Sequence, residues 1–470
     1  MNALLLVAVL AAAPAPRPLA SAEPSVYLPR LDKLSGVLAF FERAGESSVA
    51  LRPATWRDEF LPVIPVDPTR AESLVAAGID PSGSATVNVF GETQVTCVML
   101  KDAARFEARA KSEMEGRGTA WTSRVQGVAL RGVKSGKDVA GGYALKGSEA
   151  CTAEGPSSEK LLQEAAKLLA KPETSAAWKN VLKLPGAAYV SMSRGVVGLE
   201  GDARHLEAEG RSARLPLPPF RAGGESPYGG IAPSGMLFAR GVLEPSAYPQ
   251  AMGGLEYQVS QACPGCDRAR MADLSRALAK FLTGHVLWRV DRIEPGSSLR
   301  TAAARAFAVK NAILAEVQSP AEVKAALEAV AAWKDVTRTE SGFAMSLPEG
   351  RLELGLSGNH LYLANDETAL KAALAGLGAK PAKLPHGAEF FVEPKKVSRG
   401  LARIPLWDAF GSRELAGLLA VSTELGPLLG QSDAITGWVD SAGTGIHRFS
   451  ARWTLPPAPP PEPAFKLKGR

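Results

Sequence analysis

The chain carries only four cysteines and five histidines in 470 residues, and their spacing removes most metal chemistry. A structural zinc site needs four closely clustered ligands. Here a single Cys-x-x-Cys, Cys263-Pro-Gly-Cys266, has no second pair, and His205, His285, His360, His386 and His447 stand far apart. There is no His-Glu-x-x-His, no Gly-x-Ser-x-Gly and no calcium loop, so no metal site, no cofactor and no catalytic residue is expected from these motifs. Ser157-x-x-Lys160 lacks the Ser-Asp-Asn and Lys-Thr-Gly partners of penicillin-recognising enzymes and reads as a helix cap. The stretch GVKSGKD, residues 132–138, lacks phosphate-loop spacing and reads as a hairpin turn between β-rich runs.

Long apolar runs are missing as well. A membrane helix needs about 18 or more uninterrupted apolar residues. The nearest candidate, LAGLLAVSTELGPLLG at 415–430, is broken by Ser422, Thr423, Glu424, Gly426 and Pro427 and reads as a buried helix. No transmembrane segment is therefore expected in the mature chain. No basic run interleaved with aromatics exists either. The formal charge of +6 is spread among 54 Lys and Arg and 48 Asp and Glu, so no nucleic-acid partner is expected.

What is present begins at the N-terminus. Residues 4–13 form an apolar core too short to span a bilayer, prolines follow, and Ala20-Ser21-Ala22 has the small-x-small form of a cleavage site. Residues 1–22 thus read as a secretory signal peptide, which places the mature chain in the periplasm or outside the cell. Four cysteines in an oxidising compartment favour pairing.

The body of the chain echoes itself. VTCVMLKDAARFEARAKSEMEGRG (95–118) parallels AILAEVQSPAEVKAALEAVAAWK (312–334): a β-rich run, a cap, then an amphipathic helix. Asp102 caps the first helix, with Phe106, Ala110 and Met114 on its apolar stripe. Ser319, Pro320 and Glu322 open the second as a capping box, with Val323, Leu327 and Val330 on the stripe. Later helices at 157–172 and 366–381 both end in Ala-Lys-Pro. The pattern predicts an α+β fold: two homologous units of antiparallel sheet with helices on one face, a tandem duplication. The boundaries are a signal peptide at 1–22, a first unit at 23–213, a Pro/Gly-rich linker or surface loop at 214–235, a second unit at 236–454 and a Pro-rich basic tail at 455–470. With the helix-to-strand steps at Gly78-Ile79-Asp80 and Thr283-Gly284-His285, this layout resembles large uncharacterised families of exported bacterial envelope proteins, a resemblance that implies no activity and no functional residue.

Aligning the halves sets Cys97 on Leu314 and Cys151 on Leu361, so the first half has two thiols where the second has two core leucines. Facing strand thiols predict a Cys97–Cys151 disulfide. For Cys263 and Cys266, a redox centre competes with half a metal site and with a structural clip. The following DRARMADLSRALAKFL suits a helix, but GGLEYQVSQA before it is not the strand a thioredoxin-like unit requires. A second structural disulfide, Cys263–Cys266, is the reading adopted.

The sequence thus points to an exported, non-catalytic envelope protein acting by binding or structure, its partner an envelope protein, a polymer or an apolar ligand. The alternatives are a thiol-disulfide oxidoreductase using Cys263 and Cys266, and a carrier holding an apolar ligand between sheet and helices. If residues 1–22 are cleaved on export, N-terminal sequencing of the exported protein returns Glu23; Met1 or Asn2 on that material rules the signal out.

Overall fold

The computed structural model describes residues 25–46, 60–170, 184, 186–192, 195–212, 217–262, 267–296, 299–333, 335–405, 420, 423, 425–443 and 445–457. The signal-peptide reading, Cys263 and Cys266, and most of the basic tail lie outside them. Among the described residues no helix is long and apolar enough to cross a membrane.

The first half supplies β1 (Ser25–Leu28), β2 (Ala85–Phe90), β3 (Thr93–Met99), β4 (Thr119–Val125) and β5 (Val128–Ser135), then β6 (Asp138–Lys146), β7 (Glu149–Glu154), β8 (Ala188–Met192), β9 (Gly195–Gly201) and β10 (His205–Ser212). A short β11 (Glu225–Ser226) follows. The second half supplies β12 (Leu237–Val242), β13 (Leu282–Ile293), β14 (Val309–Val317), β15 (Val336–Arg338), β16 (Gly342–Leu347) and β17 (Gly350–Ser357). It ends with β18 (His360–Ala364), the short β19 (Ala382–Lys383), β20 (Ala388–Val392), β21 (Ala434–Ser441) and β22 (His447–Thr454).

Apart from the β11–β19 pair, these strands form one 20-stranded sheet whose pairings are all antiparallel. The first half runs β4-β5-β6-β7-β3-β2-β1-β8-β9-β10. The second runs β15-β16-β17-β18-β14-β13-β12-β20-β21-β22, the same order of corresponding strands. The halves meet edge to edge where β10 pairs with β22 from His205–Thr454 to Ser212–His447. Arg452–Glu207 and Arg448–Glu209 ion pairs, at 3.3 and 3.4 Å, flank this seam. Trp453 of β22 packs edge-on against Phe40 in the helix Ser35–Gly45 of the first half, and its indole N–H donates to Ser432 at 2.7 Å.

Helices cover both faces of each half, not the single face expected. In the first, Phe106, Ala110 and Met114 of the helix Ala103–Met114 share a core with Val98 and Tyr143. On the other face, Leu162, Ala165 and Ala166 of the helix Ser158–Ala170 pack against Val95, Leu130 and Ala144. The reason lies in the strand pattern: adjacent residues point to opposite faces, and Val95 and Ala144 are buried on one face, Val98 and Tyr143 on the other. Asp102 caps its helix as expected, accepting from the Arg105 amide, whereas the Ser319 side chain makes no cap bond to the helix Pro320–Leu327. The hairpin turn expected within 132–138 is the two-residue Gly136-Lys137 link between β5 and β6, with Ser135 paired to Asp138.

Residues 217–235 pack onto the second half. Tyr228 and Ile231 are buried in the second half's core, and Arg240 on β12 gathers the carbonyls of Tyr228, Gly229 and Ile231 at 2.7–3.0 Å. Part of the apolar 415–430 stretch falls outside the described residues; 425–431 is helical, with Leu428 buried in the first half's core.

Cys97 and Cys151 face one another across β3 and β7 and are disulfide-bonded, beneath the helix Ser158–Ala170. The residue corresponding to Cys151 is Tyr362, one position beyond the Leu361 expected. The turns Gly147-Ser148 and Gly358-Asn359 match, with glycine φ of 58° and 60°. From each turn the second residue's carbonyl accepts an amide hydrogen bond, from Leu100 and from Val317 respectively. That register places Tyr362, not Leu361, opposite Leu314. Leu361 instead points to the other face, because a single-residue slip reverses every side chain.

The bridge closes a 54-residue separation, for which the chain-entropy estimate is about 4 kcal/mol. Replacing both cysteines by alanine should cost about 2–5 kcal/mol in denaturant unfolding. An unchanged midpoint would mean that the bridge contributes nothing to stability.

Candidate functional site

A cavity of about 760 Å³ lies in the second half between the sheet and a helical layer. Its wall is one cross-strand row: Phe390 pairs with Ala239, Ala239 with Trp288, Trp288 with Ile313, Ile313 with Leu363, Leu363 with Leu354 and Leu354 with Phe343. Every member of the row is apolar and lines the cavity. Opposite stand Met252 of the helix Tyr248–Ala262, and Met271, Leu274 and Leu278 of the helix Arg268–Ala279. Trp333 and the Leu217-Pro218 stretch complete it.

The corresponding row of the first half is Val190, Val26, Val87, Thr96, Thr152, Tyr143 and Arg131. There the chain covers itself. Residues 60–66, FLPVIPV, lie on that face with Leu61 and Ile64 fully buried. Gln94 and Thr96 donate to the Phe60 carbonyl at 3.2 and 2.9 Å, and the Val63 amide donates to Glu154 at 3.1 Å. Gly141 leaves room for Val63, whose methyl would lie 3.3 Å from an added Cβ.

Among the described residues the second half carries no such filler. Where the first half spends residues 46–70 between the helices Ser35–Gly45 and Ala71–Ala76, the second passes from Tyr248–Ala262 to Arg268–Ala279 through residues 263–267 alone. The positions that hold the filler also change character: Thr96 corresponds to Ile313, Thr152 to Leu363 and Gly141 to Leu352. The result is a contrast in burial. Thr96 and Thr152 have no exposed surface, whereas Trp288 is 42% exposed and Ile313, Leu354, Leu363 and Phe390 are only half-buried. Apolar groups therefore remain uncovered where polar ones are sealed, the reverse of what burial alone favours.

Polar groups around the cavity are mostly committed elsewhere. Arg240 forms an ion pair with Glu389 at 2.9 Å besides its three carbonyl bonds. Asn311 donates to the Val309 carbonyl at 2.8 Å, and Tyr362 shares a 2.6 Å hydrogen bond with Ser341. Beneath the row, the Tyr228 hydroxyl and the His360 ring lie 3.0 Å apart and buried.

The cysteines named from sequence do not build this site. Cys97 and Cys151 lie on the opposite face of the other half, and Cys263 and Cys266 fall outside the described residues, in the connection between the two covering helices. Among the described residues no group of three or more His, Cys, Asp or Glu could hold a metal ion. Sequence reading missed the row itself. The signal was there in the Ile313, Leu354 and Leu363 positions, but without the register those residues read as ordinary core.

His360 has its pKa lowered by burial, partly opposed by the Glu316 carboxylate, and His285 behaves alike. Both therefore stay neutral in the fold at pH values where the unfolded chain, titrating near about 6.5, takes up protons. Their stabilisation is complete above that pH and is lost as the pH falls through and below it. Replacing His360 by Gln should flatten the fall in unfolding free energy between about pH 7.5 and 5. A variant with the wild-type slope would show that His360 does not set it.

Compared with known protein families, curated proteins and solved structures, the chain has no match, so its own geometry carries the functional reading.

Proposed function

We propose that the protein is an exported, non-catalytic binding protein whose second half holds an apolar ligand between sheet and helices, and that its halves arose by tandem duplication. The observation that carries the ligand reading is the seven-residue apolar row, Phe390 to Phe343, left partly exposed where the first half's row is sealed by residues 60–66. The shared strand order supports the duplication. The Cys97–Cys151 bridge supports export, because disulfides persist chiefly in oxidising compartments.

Magnitudes favour occupancy. The apolar walls are partly open to solvent, with Trp288 42% exposed, so burying them under an apolar ligand is favourable at about 25 cal/mol per Å² of apolar surface covered. The space must hold solvent or a ligand, and water gains little against walls with so few free polar groups. The volume lies within the range of about 300–1,000 Å³ usual for small-molecule sites.

The uncharged fluorophore N-phenyl-1-naphthylamine tests this directly. It should bind with enhanced, blue-shifted emission and accept energy from Trp288 and Trp333, which line the cavity. Trp288→Phe should lower the transfer and keep the binding. Leu363→Asp, which sets a charge on the wall, should weaken binding at least about tenfold, or about 1.4 kcal/mol. Binding indifferent to Leu363→Asp would remove the cavity as the site.

A further inference from the structure

The walls also restrict which apolar molecule fits. Of the ionisable side chains on the lining, Arg240 and Glu389 neutralise one another, and Arg240 spends its remaining reach on the Tyr228, Gly229 and Ile231 carbonyls. That leaves no free cation on the lining among the described residues. A carboxylate or phosphate brought inside would lose its hydration without gaining a counter-ion.

Peptide-like ligands meet a different obstacle. In the first half Gln94, Thr96 and Glu154 satisfy the backbone of residues 60–66. The position of Thr96 is taken by Ile313, and the Asn311 amide group is already bonded to Val309. An extended peptide on this wall would bury amides without partners, which is unfavourable for each amide.

One ionised group on the lining remains without a counter-ion. Glu256, on the helix Tyr248–Ala262, lines the cavity half-buried and has no ion-pair or hydrogen-bond partner among the described residues. A carboxylate accepts hydrogen bonds and offers none when ionised. It suits a ligand end that donates, and repels one that is itself an anion.

Resting on the cavity reading above, we infer that the ligand is a long-chain or polycyclic apolar molecule whose single polar end is a hydrogen-bond donor, an alcohol or an amine, seated at Glu256. Fatty-acid anions and peptides are selected against. The site thus discriminates by what its lining lacks, a cation, as much as by Glu256.

Displacement of N-phenyl-1-naphthylamine from the full-length protein by dodecanol, dodecylamine and dodecanoate, all below micellar concentrations, tests the assignment. Dodecanol and dodecylamine should displace the probe at concentrations at least tenfold lower than dodecanoate. Glu256→Gln should weaken dodecylamine several-fold and improve dodecanoate, leaving dodecanol little changed. The ranking within the unaltered protein is informative even if that variant folds poorly. Dodecanoate binding as tightly as dodecanol, or an amine preference untouched by Glu256→Gln, overturns the inference while leaving the cavity as the site. Failure of the naphthylamine itself to bind overturns the cavity reading, and this inference falls with it.

Discussion

A sheet that is apolar on both faces must have both faces covered, and the rest of this structure follows from how each half meets that demand. The β3 strand sends Val95 and Cys97 to one side and Thr96 and Val98 to the other, and all but Cys97 are buried or sealed. Helices supply most of the cover. On one face of the first half, residues 60–66 supply the remainder, fixed by hydrogen bonds from β3 and to β7. The second half builds the same strand order and omits that segment. Its covering helices stand over a wall they do not fill, and the unfilled space is the candidate site.

The filled half and the open half are mechanically one body along their shared edge. β10 and β22 pair over their full lengths, and the last strand brings Trp453 under the first half's opening helix. Leu428 and Leu455, from the end of the chain, belong to the first half's core. A cavity in one half is thereby carried on a scaffold whose other half is well packed and disulfide-braced. The disulfide-braced half and the half with the open apolar wall are thus different parts of one continuous sheet.

Much of this organisation was legible. The repeated run of strand, cap and amphipathic helix marked the corresponding elements, and Phe106 and Val323 are both buried at the matching helix positions. The Cys97–Cys151 bridge was found by an argument with a one-residue error, which survived because Cys97 faces Cys151 in its own half whatever stands opposite in the other. The alignment of Cys151 with Leu361 failed because glycine turns, not hydrophobic similarity, set strand register; Gly358-Asn359 fixes Tyr362 opposite Leu314. For the Pro- and Gly-rich stretch, composition reports local flexibility alone. Its order comes from Arg240, more distant in sequence, collecting its carbonyls.

What the sequence by itself determined is therefore local: where strands and helices begin, which cysteines can pair, and that alternate residues of the strands need burial. These follow from backbone geometry and periodicity, which act over a few residues. Only the tertiary structure decided that both faces are covered, that the two sheets join into one, and that Ile313, Leu354 and Leu363 line an open wall when an ordinary core was expected. A leucine in a sealed core and a leucine on a cavity wall have the same periodicity. The difference lies in what reaches the other side, here a segment present between two helices of one half and absent from the other.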